Sequence, residues 1–461
     1  MIAAALFMTA IPTMALAAAP PSVPTKPDIV VFLADDLGYL DTTPMGDPNA
    51  RSPNLARLKQ QGLAFDQAFV ASPACAPSRA ALLTGRMPAR NGAEANHERA
   101  RADIRKLPSY LQEQGYQVVS FGKVAHYEQT SSYGFDYFAN NTYHDDTAVF
   151  QAIKWLKERK DKRPLALFVG SNWPHVPWPA SSDGIDEAGL KLPAKTIDTP
   201  ETRHARARYY SAVARMDMEL GDVMAATDRV LGPDTFFLFS SDHGAQWPFG
   251  KWNLYDTGIR TPLIVRWRGH TTAGTQTSAM VSWVDILPTL IDVTGGTVPK
   301  DIDGRSFVTA LGQNGSAFAG RPEIFTTHNN DGDFNVFPAR SVRTRGFKYI
   351  NNLHPDWFFT THIDQSRETG EGAYFPTWRE RAKADPGAKQ IVDAYYRRPK
   401  EELYDLSIDP NEINNLAMDP RHARLLRELR AKVERWRAEQ GDTNPVKGTP
   451  HFNTDATARD H

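Results

Sequence analysis

Side chains that can bind a cation follow two predicted strands of the chain. Asp35 and Asp36 come directly after one apolar stretch, and Asp242 and His243 follow another. Adjacent acidic groups at the end of a buried strand repel one another and lose hydration, so a bound cation is the simplest way to stabilise them. Ligands of open α/β sheets bind beyond the carboxyl ends of the strands. We therefore predict that the two pairs share one cation, with a solvated turn as the alternative for the first pair.

The chain has a single cysteine, Cys75, and an N-terminal sequence that predicts export. Residues 1–19 carry no charge and join a short apolar run to small residues, a pattern typical of a cleaved secretory signal peptide. An uncleaved N-terminal anchor is the alternative. Exported proteins usually pair their cysteines in disulfides, so a lone thiol is either a buried core residue or a functional group. We predict a periplasmic or secreted location.

The composition excludes two classes of partner. There are 53 Lys and Arg residues against 54 Asp and Glu residues, which gives a net charge of −1. Because proteins that bind nucleic acid usually carry a basic face, we predict no nucleic-acid partner. After residue 19 no segment is long and apolar enough to cross a membrane. The 41% of hydrophobic residues can form a full core, so we expect a folded globular chain.

Strand patterns and helix patterns alternate from residue 28 to about residue 320. The predicted strands are 28–34, 116–121, 165–170, 235–239 and 263–267, and the predicted helices are 53–61, 107–114, 145–159, 205–230 and 284–293. This order predicts an α/β fold, a mostly parallel sheet with helices on both faces. A strand-like stretch at 339–351 and a basic helix at 422–440 then predict a smaller α+β unit. We place the catalytic domain at 26–325 and the smaller subdomain at 326–461.

The segment around Cys75 resembles the signature of the type I sulfatases, in which Cys-x-Pro-x-Arg precedes Leu-Thr-Gly-Arg. Cys75, Pro77 and Arg79 match the first motif, and residues 83–86 match the second. In that family the cysteine is oxidised after synthesis to Cα-formylglycine. The resemblance, which runs from about residue 26 to about residue 417, implies that a formylglycine-generating enzyme modifies Cys75. It also implies an alkaline-phosphatase-like α/β domain, a smaller C-terminal antiparallel sheet and a sulfatase activity.

The resemblance assigns roles to further residues one position at a time. It implies that the metal ion is held by Asp35, Asp36, Cys75, Asp242 and His243. It implies that catalysis uses Cys75, Arg79, Lys123, His126, His175 and Lys251. One spacing differs from that of many sulfatases, which place this histidine two residues after the lysine. Here His126 lies three residues after Lys123, as in iduronate-2-sulfatase-like members.

Each of these residue types fits one step of the implied chemistry. One hydroxyl of a formylglycine hydrate attacks sulfur, and the second then expels sulfate and regenerates the aldehyde, so one hard step becomes two easier ones. Arg79 and Lys123 would hold the hydrate, and His126 would take the proton in the elimination step. Lys251 and His175 would bind the sulfate oxygens, with His175 as the general acid for the leaving group.

The implied cofactor is a divalent cation, which lowers the pKa of the attacking hydroxyl and neutralises sulfate charge. The family implies Ca²⁺ rather than Mg²⁺. Ca²⁺ prefers oxygen ligands, so the nitrogen of His243 is a departure: it is either a weak ligand or a contact of the hydrate.

The predicted substrate is a sulfated carbohydrate of glycosaminoglycan or algal-polysaccharide type. Residues 172–178 and 249–256 resemble the sulfamidase-like group, which acts on N-sulfated glucosamine, whereas the His126 spacing resembles iduronate-2-sulfatases. The predicted substrate-binding residues are His97, Trp173, Trp178, Trp247 and Trp252. The tryptophans either stack on sugar faces or pack at the rim of the site.

Two other functions stay open at this point. A phosphonate monoester or phosphodiester hydrolase of the same superfamily can share the formylglycine motif. A non-catalytic binder of sulfated glycans would result if Cys75 were never converted.

Overall fold

The computed structural model describes residues 26–139, 147–312, 318–365 and 372–452. The predicted signal peptide at 1–19 and the predicted helix start at 145 lie outside these residues. Within the described ranges, no helix combines the length and the apolar character that a membrane span requires.

The larger of the two sheets has eight strands. They are β1 (Ile29–Ala34), β2 (Leu63–Phe69), β3 (Gln117–Gly122), β4 (Tyr137–Ala139), β5 (Leu165–Gly170), β6 (Phe236–Ser241), β7 (Leu263–Arg266) and β8 (Thr275–Ser282). Their order is β4-β3-β5-β1-β6-β7-β2-β8, and β7 alone pairs antiparallel with its neighbours among these strands. The prediction of a mostly parallel sheet is confirmed. The central strand β1 is buried along its whole length, which explains its uninterrupted apolar sequence.

Helices connect and cover these strands. They are α1 (Pro53–Gln61), α2 (Cys75–Thr84), α3 (Pro88–Asn91), α4 (Leu107–Glu113), α5 (Ala148–Glu158), α6 (Pro200–Val230), α7 (Asp256–Ile259), α8 (Ile286–Val293) and α9 (Val308–Leu311). The five predicted helices all form, within a few residues of their expected ends. The strands β2, β4 and β8 were not predicted. Asp66 and Gln67 interrupt the apolar sequence of β2, β4 has only three residues, and the first half of the edge strand β8 is polar and partly exposed.

The second sheet is antiparallel, as the resemblance implies. Its strands are β9 (Glu323–Asp331), β10 (Asn335–Thr344), β11 (Phe347–Asn352) and β12 (Glu401–Asp405), in the order β12-β11-β10-β9. The helices of this region are α10 (His362–Gln365), α11 (Phe375–Ala382), α12 (Pro386–Tyr396) and α13 (Ala423–Gln440). The single strand expected at 339–351 is wrong: β10 and β11 form a hairpin that turns at Arg345 and Gly346. The domain boundary after residue 325 stays a prediction, and the second sheet begins at Glu323.

One hydrophobic core extends across both sheets. It includes Val31 of β1 and Phe337 of β10, while α13 packs on the second sheet through Leu429 and Val433. Because the two sheets share this core, the carboxyl end of β9 is held close to the carboxyl ends of the strands in the larger sheet.

Candidate active site

The structure brings the predicted cation-binding clusters together. Parallel strands end at the same edge of a sheet, and Asp35, Lys123 and Asp242 directly follow β1, β3 and β6 there. The Lys123 Nζ atom lies 2.6 Å from Asp35 Oδ2, and the Asp36 N–H donates to Asp242 Oδ1 at 3.1 Å. The structure thus places these side chains beside one another, and the cation that they would share stays a prediction.

Cys75 lies among these groups as the first residue of helix α2, with a side chain that is 1% exposed. Its Sγ atom is 3.3 Å from His243 Nε2, 3.5 Å from Lys123 Nζ and 4.0 Å from Asp35 Oδ1. The N-terminus of a helix carries partial positive charge and favours anions. The position therefore suits a side chain that contacts an anionic group.

Arg79 lies one helical turn after Cys75, and residues four apart share one helix face. Its guanidinium pairs with Asp35 at 3.1 Å and with Asp242 at 2.9 Å. It also donates to the backbone carbonyl of Lys123. All of these side chains are buried, so Arg79 compensates two carboxylates that burial would otherwise disfavour.

Three buried acidic side chains of the site lie against three buried basic ones. Asp35, Asp36 and Asp242 face Arg79, Lys123 and Lys251. Burial raises the pKa of Asp35, but the cationic side chains of Lys123 and Arg79 outweigh burial and hold that pKa well below its ordinary value. Burial keeps the pKa of Asp36 raised despite Lys251, whose Nζ lies 3.0 and 2.9 Å from its two oxygens. Lys251 thus binds a metal-site carboxylate in this structure.

A divalent cation fits this donor set. One ligand atom each from Asp36, Cys75, Asp242 and His243 lie within 4.8 Å of one another, and all four residues are buried. The Nδ1 atom of His243 lies 2.9 Å from the Gly244 carbonyl, which can only accept, so Nδ1 carries a hydrogen, and a metal ion would bind at Nε2 in place of the second proton. Burial favours neutral His243, but Asp242, Cys75 and Asp36 outweigh it and raise its pKa to about 9.

His126 and His175 both border the site as neutral groups. Burial and Lys123 lower the pKa of His126 well below its ordinary value, and burial with Lys123 and Lys251 does the same for His175. The His175 Nδ1 atom donates to the Val176 carbonyl at 2.6 Å, which directs Nε2 to within 3.9 Å of Asp36. His126 is therefore ready to accept a proton, whereas His175 must gain one before it acts as an acid.

Several backbone positions around the site are held in unusual conformations. Asp36, His97, Tyr127 and Trp252 have positive φ angles between 50° and 67°, which cost energy for residues with a side chain and cluster at functional sites. Gly170 permits another close approach, because a Cβ atom there would lie 2.3 Å from the backbone of Lys123. This glycine therefore lets the Lys123 backbone pack directly against the end of β5.

The four predicted sugar-stacking tryptophans are all buried in this structure. Trp178 and Trp247 stack on each other with ring centroids 4.8 Å apart, and Arg215 lies over Trp173. Their described contacts are those of packing, the alternative left open above. A sugar-binding role for them stays a prediction.

Asp331, at the end of β9, is a site residue that the sequence prediction missed. Its buried carboxylate accepts from Asn96 Nδ2 at 2.9 Å, from Trp252 Nε1 at 2.8 Å and from the predicted substrate-binding His97 at 3.0 Å. One signal was available: residues 328–331 are a run of four polar side chains, and all are buried within a strand. Such a run is costly unless every group has a partner.

Comparisons with known proteins agree on one family. Residues 27–296 match the sequence profile of the family described as Sulfatase, and residues 243–364 match that of the N-sulphoglucosamine sulphohydrolase C-terminal region. The chain is 30% identical over 435 residues to an ulvan-active sulfatase of Formosa agariphila, covering 91% of this chain and 82% of that protein. It is 29% identical to human N-sulphoglucosamine sulphohydrolase over 90% of both chains.

Solved structures share the fold at lower sequence identity. One, determined in complex with its substrate D-glucosamine-2-N,6-O-disulfate, has a TM-score of 0.69 and 19% identity, with 91% of this chain and 99% of that chain covered. The phosphonate monoester hydrolase of Agrobacterium radiobacter has a TM-score of 0.68 and 19% identity, with 90% and 96% covered. These likenesses establish the alkaline-phosphatase-like fold.

Proposed function

Because the chain belongs to the sulfatase family, we propose that it hydrolyses sulfate groups of sulfated carbohydrates through a formylglycine hydrate made from Cys75. One observation carries this proposal: Sγ of Cys75 lies within 4.0 Å of Lys123, His243 and Asp35, at the N-terminus of a helix. An aldehyde hydrate in the same place would have groups within reach to orient it, to accept its proton and to bind the sulfate charge.

The residues around Cys75 divide this work according to their contacts. Arg79 and Lys123 are fixed by Asp35 and hold the hydrate oxygens. Lys251 can pass from Asp36 to a sulfate oxygen, since its ammonium has three donors. His126, neutral and beside Lys123, takes the proton from the second hydroxyl as sulfate leaves. His175 donates to the leaving-group oxygen once the sulfate charge has raised its pKa.

We propose Ca²⁺ as the metal, held by Asp35, Asp36, Asp242, residue 75 and His243. When bound, the ion lowers the pKa of the attacking hydroxyl and offsets sulfate charge. Three acids, Asp35, Asp36 and Asp242, face three bases, Arg79, Lys123 and Lys251, so a divalent ion would add positive charge that suits an anionic substrate. Export, supported by residues 1–19, and modification by a formylglycine-generating enzyme belong to the same proposal.

Calcium binding is expected to stabilise the folded protein. After treatment with a chelator, Ca²⁺ at about 100 times its dissociation constant should increase the free energy of unfolding by about 2.7 kcal/mol, seen as a higher melting temperature in calorimetry. Asp242→Asn should remove most of this gain because it deletes a ligand charge. The surface variant Asp161→Asn is the control and should keep it. An equal gain in both variants would place the ion elsewhere.

Protonation of His126 is expected to cause the fall in kcat at low pH. Because its pKa is lowered, the imidazole stays neutral and able to accept a proton until the pH falls well below 6.5, so kcat should persist at pH 6. His126→Ala should reduce kcat by about 10²- to 10³-fold, whereas the exposed His204→Ala should not. An acid limb with a midpoint above 6.5, or a kcat retained in His126→Ala, would contradict this role.

A substrate panel tests the proposed activity itself. The relatives act on ulvan and on N-sulfated glucosamine by name, so the panel contains ulvan oligosaccharides, glucosamine 2-N-sulfate, a heparin tetrasaccharide, a phosphodiester and a phosphonate monoester. We expect sulfate release from at least one sulfated sugar to exceed phosphoryl-ester turnover in kcat/KM. The reverse ranking would favour the phosphonate or phosphodiester hydrolase alternative. A Cys75 that stays unconverted, with no turnover of any substrate, would favour the non-catalytic binder.

A further inference from the structure

A stack of three aromatic rings leads from the candidate active site to the protein surface. The Trp252 ring lies against His362, with centroids 5.3 Å apart and planes 14° apart. The His362 ring lies against Phe334, with centroids 4.0 Å apart and planes 18° apart. Trp252 is buried and directly follows Lys251, whereas Phe334 is 45% exposed. The stack therefore ends in an aromatic ring that solvent can reach.

The inner end of the stack is fixed to the catalytic helix. Trp252 donates through Nε1 to Asp331, and Asn96 donates to the same carboxylate. The Asn96 Oδ1 atom in turn accepts from the N–H of Ala76, the residue after Cys75. Movement of the Trp252 ring would have to break these buried hydrogen bonds, each costly to leave unmade.

The outer end of the stack is fixed as well. The Thr360 hydroxyl donates to the backbone carbonyl of Phe334 at 2.7 Å, and the Asn335 side chain donates to the Thr360 carbonyl at 2.6 Å. These bonds join the β9–β10 turn, which carries Phe334, to the segment that leads into His362. The backbone segments that carry Phe334 and His362 are thus joined before a ligand binds, which reduces the entropy cost of binding.

A polar side chain, His97, binds the same Asp331 carboxylate as Trp252, the inner ring of the stack. His97 is held by Asp331 through Nε2, its side chain is 62% exposed, and its ring meets His126 edge-on with centroids 4.8 Å apart. The exposed Phe334 ring and the exposed His97 thus belong to one connected cluster, and together they offer an apolar face and a polar group, which match the C–H face and the polar rim of a pyranose. A single exposed phenylalanine would mean little, whereas a preformed stack that starts at the site is a specific arrangement.

We propose that Phe334, supported by His362, binds the C–H face of a pyranose in the sulfated glycan, outside the sulfate-binding groups, and that His97 contacts the polar rim of that sugar. This inference rests on the proposed function, because it takes the glycan that the site would hydrolyse as its ligand. Phe334 thereby becomes a specificity residue for oligosaccharides over monosaccharides.

Oligosaccharide binding to a protein that cannot turn over, the Cys75→Ala variant, tests the inference. Dissociation constants of a heparin tetrasaccharide, an ulvan oligosaccharide and glucosamine 2-N-sulfate are measured by calorimetry on Cys75→Ala. Adding Phe334→Ala should weaken binding of the preferred oligosaccharide roughly three- to tenfold, by a larger factor than for the monosaccharide. Phe334→Tyr should restore it, because the ring is kept. Phe150→Ala removes a 68% exposed ring from α5 and should leave affinity unchanged.

Three results would overturn the subsite: an unchanged oligosaccharide affinity in Phe334→Ala, an equal loss for oligosaccharide and monosaccharide, or no binding of either oligosaccharide to Cys75→Ala. Sulfate release by the wild-type protein is measured separately. If sulfate is released but Phe334→Ala binds normally, only the subsite fails. If the wild-type protein releases no sulfate from any sugar in the panel, the proposed function fails, whatever the affinities.

Discussion

Replacing Cys75 with Ala is expected to lower kcat for sulfate release by about 10⁴-fold or more, the scale seen when a covalent nucleophile is removed. Alanine has no sulfur to oxidise, so no aldehyde hydrate can form at the N-terminus of α2. The fold should persist, because alanine is small and favours helices. Steady-state sulfate release and a thermal melt followed by circular dichroism measure the two effects.

A matched control for this variant is Ser72→Ala, a buried substitution three residues earlier. The Ser72 hydroxyl has no hydrogen-bond partner among the described residues, so its removal should change kcat by less than a factor of about three. If Cys75→Ala kept activity within tenfold of the wild-type protein, the nucleophile would have to be another group.

Arg79→Met is expected to cause the largest loss of stability. The substitution leaves Asp35 and Asp242 buried without their shared partner, and breaking a buried ion pair from one side costs about 3–5 kcal/mol. Urea denaturation of chelator-treated protein measures this loss of unfolding free energy. Activity should also disappear, because the guanidinium that would hold the hydrate is absent.

The exposed pair of Arg421 and Asp419 provides the comparison for Arg79. Arg421 is mostly exposed in its ion pair, and surface ion pairs contribute little to stability. The urea midpoint of unfolding of Arg421→Met should therefore equal that of the wild-type protein. Equal midpoints for Arg79→Met and the wild-type protein would mean that the buried carboxylates are protonated or compensated by other groups.

The sequence predicted the parts of the fold that have strong local patterns. The continuous apolar run of β1 and the amphipathic α6 were both found, and the polar residues that end β1, β3 and β6 converge because parallel strands share an edge. The β10–β11 hairpin was read as one strand because apolar residues continue on both sides of Arg345 and Gly346.

The rest of the site depends on contacts between residues far apart in the chain. Asp331 joins His97 and Trp252 although 234 and 79 positions separate them, and no local pattern specifies such a pairing. The burial of Trp178 and Trp247 follows from their mutual stacking, which brings two separate loops together. An aromatic residue near a motif has the same sequence signature whether it packs inside or contacts a ligand.

Mass spectrometry of the tryptic peptide 60–79 is the most direct test of the central claim, since this peptide contains residue 75 and ends at Arg79. The protein should be purified in active form from cells that contain a formylglycine-generating enzyme. We expect a peptide that has lost the cysteine sulfur and reacts with a hydrazide probe as an aldehyde. An intact thiol at Cys75 in fully active protein would contradict the account.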